Sequence, residues 1–238
     1  MTGMPKPECD RHFLKELEAG CRSSAPGTEM LFRIFWRLYD SFGPQHWWPG
    51  DSPFEIAVGA ILTQNTAWKN VEKAIASLKA RGCLSPEAIW EMPVQVLAAV
   101  IKPAGYFNVK ARRLRNFVKV LIEDFQGDMG LMARPGTEEL REVLLGINGI
   151  GPETADSILL YALGKPSFVI DAYTFRILER HDLIDGSWDY AMLQAFFMDN
   201  LPSEPCLYNE YHALLVMAGK TFCKPRKYAC SECPLTGI

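Results

Sequence analysis

Apolar residues recur along most of this chain at the three-to-four-residue spacing of an α-helix. Residues 29–42 place Leu31, Ile34, Phe35 and Leu38 on one face, with Trp36 and Tyr39 flanking it. That is the pattern of a helix with one buried side. Pro44 and the HWWPGDSP stretch end it. A second helix is predicted over 54–63. Pro53 suits its first turn, where a missing N–H costs nothing, and Ser52 suits its N-cap. A third helix runs from about 66 to 79 and stops at Gly82. Further helices fit 86–91, 93–101, 108–125, 137–145, 152–163, 171–180, 188–200 and 204–218. Only residues 167–170 (SFVI) read as extended. No two-residue alternation is sustained, which argues against a sheet-based fold. The predicted class is all-α. Residues 1–27 are punctuated by Pro, Gly and Ser and are expected to form a loosely attached N-terminal extension.

Composition narrows the picture only a little. A chain of 238 residues suffices for one large domain or two small ones. Apolar runs are far too short to span a bilayer, and the N-terminus lacks the apolar core of a secretory signal. The net charge of −3 does not by itself favour an anionic partner. Its distribution is uneven, however. The segment from Lys102 to Lys119 carries Lys102, Lys110, Arg112, Arg113, Arg115 and Lys119 and no acid. The plain reading of such a segment is a solvated helix face. There are seven cysteines. In a reducing compartment they are not expected to form a disulfide framework. Cys9, Cys21, Cys83 and Cys206 are scattered and read as inert thiols. Cys223, Cys230 and Cys233 are clustered.

The most informative stretch is LREVLLGINGIGPETADSILLYALG, which reads as helix, tight turn, helix. Gly146, Gly149 and Gly151 permit positive φ and close approach of the backbone to another surface. Pro152 suits the first position of the second helix. Amides at that helix start lack intrahelical partners and suit a phosphate oxygen. A nucleotide-binding loop would need a preceding strand and a following Lys-Ser/Thr, and neither is present. A plain helix–helix connection fits the pattern equally.

IxGIGxxTAD, followed 20 residues after Gly151 by VIDAYTFRI, resembles the helix-hairpin-helix superfamily of DNA glycosylases, which includes endonuclease III. Two further stretches agree in order. SPFEIAVGAILTQNTAWKNVEKA is similar to the family's first barrel helix and base-gap loop. HALLVMAGKTFCKPRKYACSECP is similar to its iron–sulfur loop. Asn148 departs from the proline common in the hairpin. The resemblance implies two helical domains with a DNA-binding cleft between them and a C-terminal iron–sulfur-type cysteine loop. Residues 54–163 would form a six-helix barrel ending in the helix-hairpin-helix 137–163. Residues 28–53 and 164–222 would form the second domain, and 223–238 the cysteine-cluster loop.

The resemblance also assigns roles. Gly149 and Gly151 would hold a phosphate beside the target nucleotide. Asp171 falls at the family's essential aspartate; from the residues alone, it reads as a helix N-cap. Both roles are compatible, because capping fixes the carboxylate's rotamer. Bifunctional relatives carry a nucleophilic lysine in the second hairpin helix, where this chain has Glu153. A carboxylate cannot form an imine, so a monofunctional glycosylase without AP-lyase activity is expected. Gln64 matches the gap-filling glutamine, and Asn65 could share that task; a polar helix C-terminus is the plain alternative. Trp47, Trp48 and Trp68 are candidates to sandwich an extruded base, or ordinary core residues. WWP, TQNT, GYFN and GIGxETAD together resemble the 3-methyladenine glycosylase branch. An electron-poor alkylated purine stacks well between indoles.

Cys223-x6-Cys230-x2-Cys233 matches the first three ligands of the family's four-cysteine loop, and the sequence stops where the fourth would stand. The expectations are a [4Fe–4S] cluster on a truncated or three-thiolate site, or zinc, or no metal. Cys206 and His212 are conceivable substitute ligands. Lys224, Arg226 and Lys227 are expected to meet phosphates, with Lys110, Arg112 and Arg113 as further contributors. The implied partner is damaged duplex DNA, bound by a monomer in the cytoplasm at the nucleoid, with an AP endonuclease acting next. The alternatives are a pyrimidine or mismatch glycosylase with lyase activity, a catalytically silent structure-specific DNA-binding protein, and a helical metal protein that does not bind DNA.

Overall fold

The computed structural model describes residues 10–21 and 25–238. Among the described residues thirteen helices run in order: α1 (Arg11–Gly20), α2 (Pro26–Phe42), α3 (Pro53–Thr63), α4 (Trp68–Ala80), α5 (Pro86–Glu91), α6 (Val94–Val100), α7 (Phe107–Phe125), α8 (Met129–Met132), α9 (Thr137–Leu145), α10 (Pro152–Ser157), α11 (Ala172–Arg180), α12 (Tyr190–Asn200) and α13 (Pro205–Thr221). Short 3-10 turns lie at Lys102–Ala104 and Cys230–Glu232, and a π-helical turn, Ile158–Ala162, prolongs α10. Among the described residues there is no strand, only an isolated antiparallel bridge between Cys223 and Tyr228. The chain is therefore all-α. Residues 167–170 are neither helix nor strand, and Phe168, Val169 and Ile170 are buried. No helix among the described residues is long and apolar enough to cross a membrane.

The chain divides into two compact units. One comprises the described residues through Trp47 together with Pro166–Ile238. Its centre is α13, buried on nearly every side, as expected of a helix apolar around its circumference. The α2 face carrying Leu31, Ile34, Phe35 and Leu38 packs inward as its spacing predicted. Phe168 stacks on Phe197 at 4.1 Å, and Tyr211 donates to the Leu31 carbonyl at 2.7 Å. The expectation of a loose extension fails for residues 11–20. They form α1, whose Leu14 is buried. Trp36 Nε1 donates to Glu18, and Arg11 pairs with Asp40. Asp10, which accepts from the Phe13 amide, starts that helix; such a cap overrides the local punctuation. The rest of the expected extension lies mostly outside the described residues. Cys206 also departs from its reading as an inert thiol and is disulfide-bonded. The other described cysteines, Cys21, Cys83, Cys223, Cys230 and Cys233, are free.

The second unit is Trp48–Lys165. Its centre is α3, where every residue from Phe54 to Leu62 is buried. Ser52 caps this helix through the Glu55 amide, and Pro53 opens it, as read from the sequence. Helices α4, α7 and α10 and the π-helical turn pack around it. The helix predicted over 152–163 is thus interrupted in pitch by the π turn, with all five of its residues buried. Tyr161 on that turn is tilted against Trp48 in the core of this unit.

Candidate functional site

The hairpin in the second unit is built by α9, the glycine turn and α10. Ile147 and Ile150 anchor the turn from below, each 4% exposed. Arg141 on α9 holds Asp156 on α10 through two bonds, at 2.8 and 3.1 Å, and Asp156 has no exposed surface. Gly149 lies at φ 96°, the left-handed region that disfavours side chains. A Cβ there would collide with the Arg113 side chain at Cγ. The close neighbour that Gly149 admits is therefore the protein's own Arg113. Gly151 differs. Its φ of −97° suits any residue, and a Cβ there would meet nothing within 4 Å. Nothing inside the fold demands a glycine at 151. Pro152 opens α10, and Glu153 is exposed in its first turn.

Gln64 closes this arrangement from α3's C-cap. Its Nε2 donates to the Gly149 carbonyl at 3.0 Å and to Thr154 Oγ1 at 2.9 Å. Its Oε1 accepts from Arg113. The residue expected to fill a gap in the duplex is thus tied to the hairpin, while Asn65 beside it is exposed at φ 53°. The tryptophans are also divided. Trp48 is 6% exposed, edge-on to Trp68 at 5.0 Å and tilted against Tyr161 at 5.0 Å. Those contacts place Trp48 in the core of its unit, not on an open stacking platform. Trp47 belongs to the other unit, where Lys220 Nζ lies 5.3 Å from its ring centroid.

Asp171 heads α11 in the first unit. Its Oδ1 accepts from the Tyr173 amide (2.9 Å), the Thr174 amide (2.8 Å) and the Thr174 hydroxyl (3.0 Å). The capping role read from the sequence is realised through that oxygen. Its Oδ2 faces His212 Nε2 at 3.5 Å. Burial pushes this carboxyl up, but His212 and the Thr174 bonds outweigh it and hold the group below the usual carboxylate range. His212 sits on α13, its side chain 6% exposed. The sequence offered it only as a substitute metal ligand; the fold assigns it to Asp171. Lys220, two turns on along α13, was missed altogether. Partial burial lowers its ammonium's pKa, and the charge of Asp171 opposes that shift. Glu210, also on α13, accepts from the Gln45 amide at 2.7 Å and so fixes the chain entering Trp47. Burial pushes the Glu210 carboxyl up.

The cysteine loop is clasped from α11. Arg176 donates to the Cys223 carbonyl at 2.7 Å. Arg180 donates to Cys223 Sγ at 3.2 Å and to the carbonyls of Lys224 and Pro225 at 3.0 Å each. It also lies over the Tyr228 ring. Thr236 Oγ1 donates to the Cys233 carbonyl at 2.8 Å. Burial pushes the Cys233 thiol up, and charge on Cys223 and Cys230 adds to that. Cysteine thiolates are the donor type that suits iron–sulfur or zinc binding. Yet among the described residues no three His, Cys, Asp or Glu side chains converge into a metal-holding group. In this structure the donors suit a metal in type but do not converge on one. Lys224, Arg226 and Lys227 are exposed on this loop.

Comparison with known proteins agrees with this geometry. The HhH-GPD superfamily of base excision DNA repair proteins matches residues 58–203. A protein of Methanocaldococcus jannaschii, provisionally named a DNA repair glycosylase, is 46% identical over 87% of this chain and 94% of its own length. Endonuclease III of Sulfolobus acidocaldarius is 30% identical over 76% of this chain and 78% of its own. The solved structure of the H. pylori 3-methyladenine DNA glycosylase bound to 1,N6-ethenoadenine superposes with a TM-score of 0.69 at 29% identity, covering 82% of this chain and 97% of that one. A non-covalent endonuclease III–DNA complex shares the fold at a TM-score of 0.76 and 20% identity, over 87% and 92% of the two chains. With the hairpin, the capped aspartate and most of the chain all aligned to one group, this protein belongs to the HhH-GPD superfamily of base excision DNA repair proteins.

Proposed function

We propose that this protein is a monofunctional DNA glycosylase that hydrolyses the N-glycosidic bond of an alkylated purine flipped out of duplex DNA. The observation that carries the reading is the state of Asp171. One oxygen is fixed by the start of α11, the other faces His212, and the group is held ionised. As the C1′–N bond breaks, the base leaves with the bonding electron pair and positive charge grows on the deoxyribose. A fixed carboxylate stabilises that charge without reorganising. Water then adds its oxygen to C1′ and gives up a proton, to Asp171 or to solvent, leaving an abasic site and the free base. An N-alkylated purine already carries positive charge and departs neutral, so a carboxylate without a nucleophilic amine suffices. The likeness to a 3-methyladenine glycosylase structure holding an etheno-purine supports that substrate class.

The test is base release from duplexes carrying single alkylated purines or oxidised pyrimidines, run with and without borohydride. Release of a methylated purine with no trapped protein–DNA adduct is expected. Absence of release from every alkylated substrate overturns the reading. One observation favours a second reading. Lys220 is an amine of lowered pKa within range of Asp171's charge, and a bifunctional lyase could use it in place of the lysine that Glu153 replaces. An adduct that forms with the wild type and disappears in Lys220→Met would establish that reading. As for the cysteine loop, we propose that any [4Fe–4S] cluster or zinc on Cys223, Cys230 and Cys233 is structural. Visible absorbance and metal analysis of anaerobically purified protein test this. Arg176 and Arg180 clasp the same loop through its Cys223 and Lys224 carbonyls.

The two hairpin glycines separate folding from grip. Gly149→Ala is expected to cost roughly 1–3 kcal/mol through backbone strain alone, and Arg113 must move besides. Gly151→Ala should leave stability within about 0.5 kcal/mol, as for other open surface positions. It should nonetheless weaken binding to duplex containing an abasic-site analogue, because a methyl group would keep a phosphate from the amides. Paired thermal melts and binding titrations check this. Unchanged binding in a normally stable Gly151→Ala protein would remove the hairpin from the reading.

A further inference from the structure

Lys110 stands out from the basic segment in which it lies. The segment reads as a solvated face, yet Lys110 is 1% exposed, the most deeply placed cation among the described residues. Its Nζ donates to the Leu62 carbonyl at 2.8 Å and to the Ala104 carbonyl at 2.8 Å. Burial lowers its pKa to about 8, and the charge of Arg113 adds to that effect. Such a burial is costly, and an apolar side chain of equal size would often do as well for stability alone. The two carbonyls explain what the ammonium is for. Leu62 lies in the last turn of α3, three residues before Asn65. Ala104 ends a 3-10 turn, two residues before Tyr106. Both carbonyls belong to helix ends, which favour a cation and need an outside donor.

The backbone just beyond each carbonyl has the same character. Asn65 and Tyr106 are both non-glycine residues at positive φ, 53° and 46°. Both are exposed, Tyr106 at 70%. A large aromatic on a strained backbone in full solvent is unfavourable for folding and calls for another use. One turn further along α7, Arg113 binds Gln64 and packs on Gly149. A single helix face thereby ties both tips to the hairpin.

Resting on the glycosylase reading, we propose that Lys110 is a positioning residue for base extrusion. Its ammonium staples the segment before Asn65 to the segment before Tyr106, so that the two exposed side chains enter a duplex together at a fixed spacing. Removing a base from the stack costs a few kcal/mol, least where the base is already unpaired. Stapled tips meet that cost only for a paired target. The staple therefore matters to extrusion and not to bond cleavage.

The experiment compares single-turnover base release from one damaged purine in two settings, fully paired and in an unpaired bulge. Lys110→Met, of similar length but unable to donate, is expected to lose about tenfold or more on the paired target and less than about threefold in the bulge, since only the first requires unstacking. A purely structural role would lower both equally, and that result overturns the proposal, as does full activity on the paired target. Should Lys110→Met fail to fold, the double variant Asn65→Gly with Tyr106→Gly serves instead. Glycine keeps the positive φ while removing both tips. It should reproduce the same selective loss, and unchanged paired activity would overturn the proposal. If the wild type releases no base in either setting, the glycosylase reading itself fails and the staple falls with it.

Discussion

Asp171→Asn should lower base release by about a thousandfold, the scale seen when a charge-stabilising group is removed from a reaction centre. The substitution is chosen to spare the fold. Asparagine caps a helix as well as aspartate does, and its amide oxygen can take the Tyr173 and Thr174 donors that Oδ1 now accepts. What disappears is the negative charge. Binding to duplex with an abasic-site analogue should persist. A variant that keeps its release rate would show that another group carries the chemistry, and a wild type that binds but never releases would point to a silent DNA-binding protein.

The same site makes a pH expectation. Asp171's carboxyl is held below the usual range, with burial opposing and His212 and Thr174 overcoming it. Activity should therefore hold through mildly acidic conditions and fall only as pH drops through that depressed value. Stability follows the same sign. A group ionised more readily in the folded chain contributes stability above its unfolded pKa, and that contribution is lost as pH falls through the folded one. In His212→Leu, burial remains while everything His212 contributes to holding the Asp171 carboxyl down is gone. The acid limb of the pH–rate profile should move to higher pH. A profile that does not move would mean that His212 packs beside Asp171 without tuning it.

Arg141→Ala is expected to destabilise the hairpin unit by about 3–5 kcal/mol, the usual cost of stripping one partner from a buried ion pair. Asp156 has no exposed surface, and Arg141 reaches it with two donors across α9 and α10. At roughly 2–4 °C per kcal/mol for a chain of this size, the melting temperature should drop by about 10 °C. Replacing the pair together, Arg141→Met with Asp156→Leu, should recover much of that loss, because no charge is then left buried. A single variant melting within about 2 °C of wild type would show that the ion pair does not lock the two helices. The pair joins residues 15 apart on the two arms of the hairpin, so its loss should also blunt binding to abasic-analogue duplex.

Much of the architecture was legible because it is local. Helical periodicity marks the buried face of α2, and Ser52 with Pro53 marks the start of α3, since a cap acts within three residues of itself. Asp171 was legible in the same way: its Oδ1 bonds are to residues two and three positions on. The glycine turn announced itself by composition. Helix α1 escaped notice because its flanking Pro, Gly and Ser residues read as loop, while Asp10's cap and Leu14's burial were outweighed.

The sequence by itself determined which segments are helical, where the hairpin turns, and that a carboxylate heads α11. The tertiary structure alone decided what surrounds those features. Gln64 bonds to residues 85 and 90 positions away, so no local pattern could separate a duplex wedge from a hairpin tie. His212 tunes Asp171 only because α13 packs against α11. Lys110 looks like its basic neighbours in sequence and differs only in facing two helix ends in the interior. The physical reason is range. Periodicity and capping act over a few residues, whereas burial and charge pairing depend on which distant surfaces the fold brings into contact.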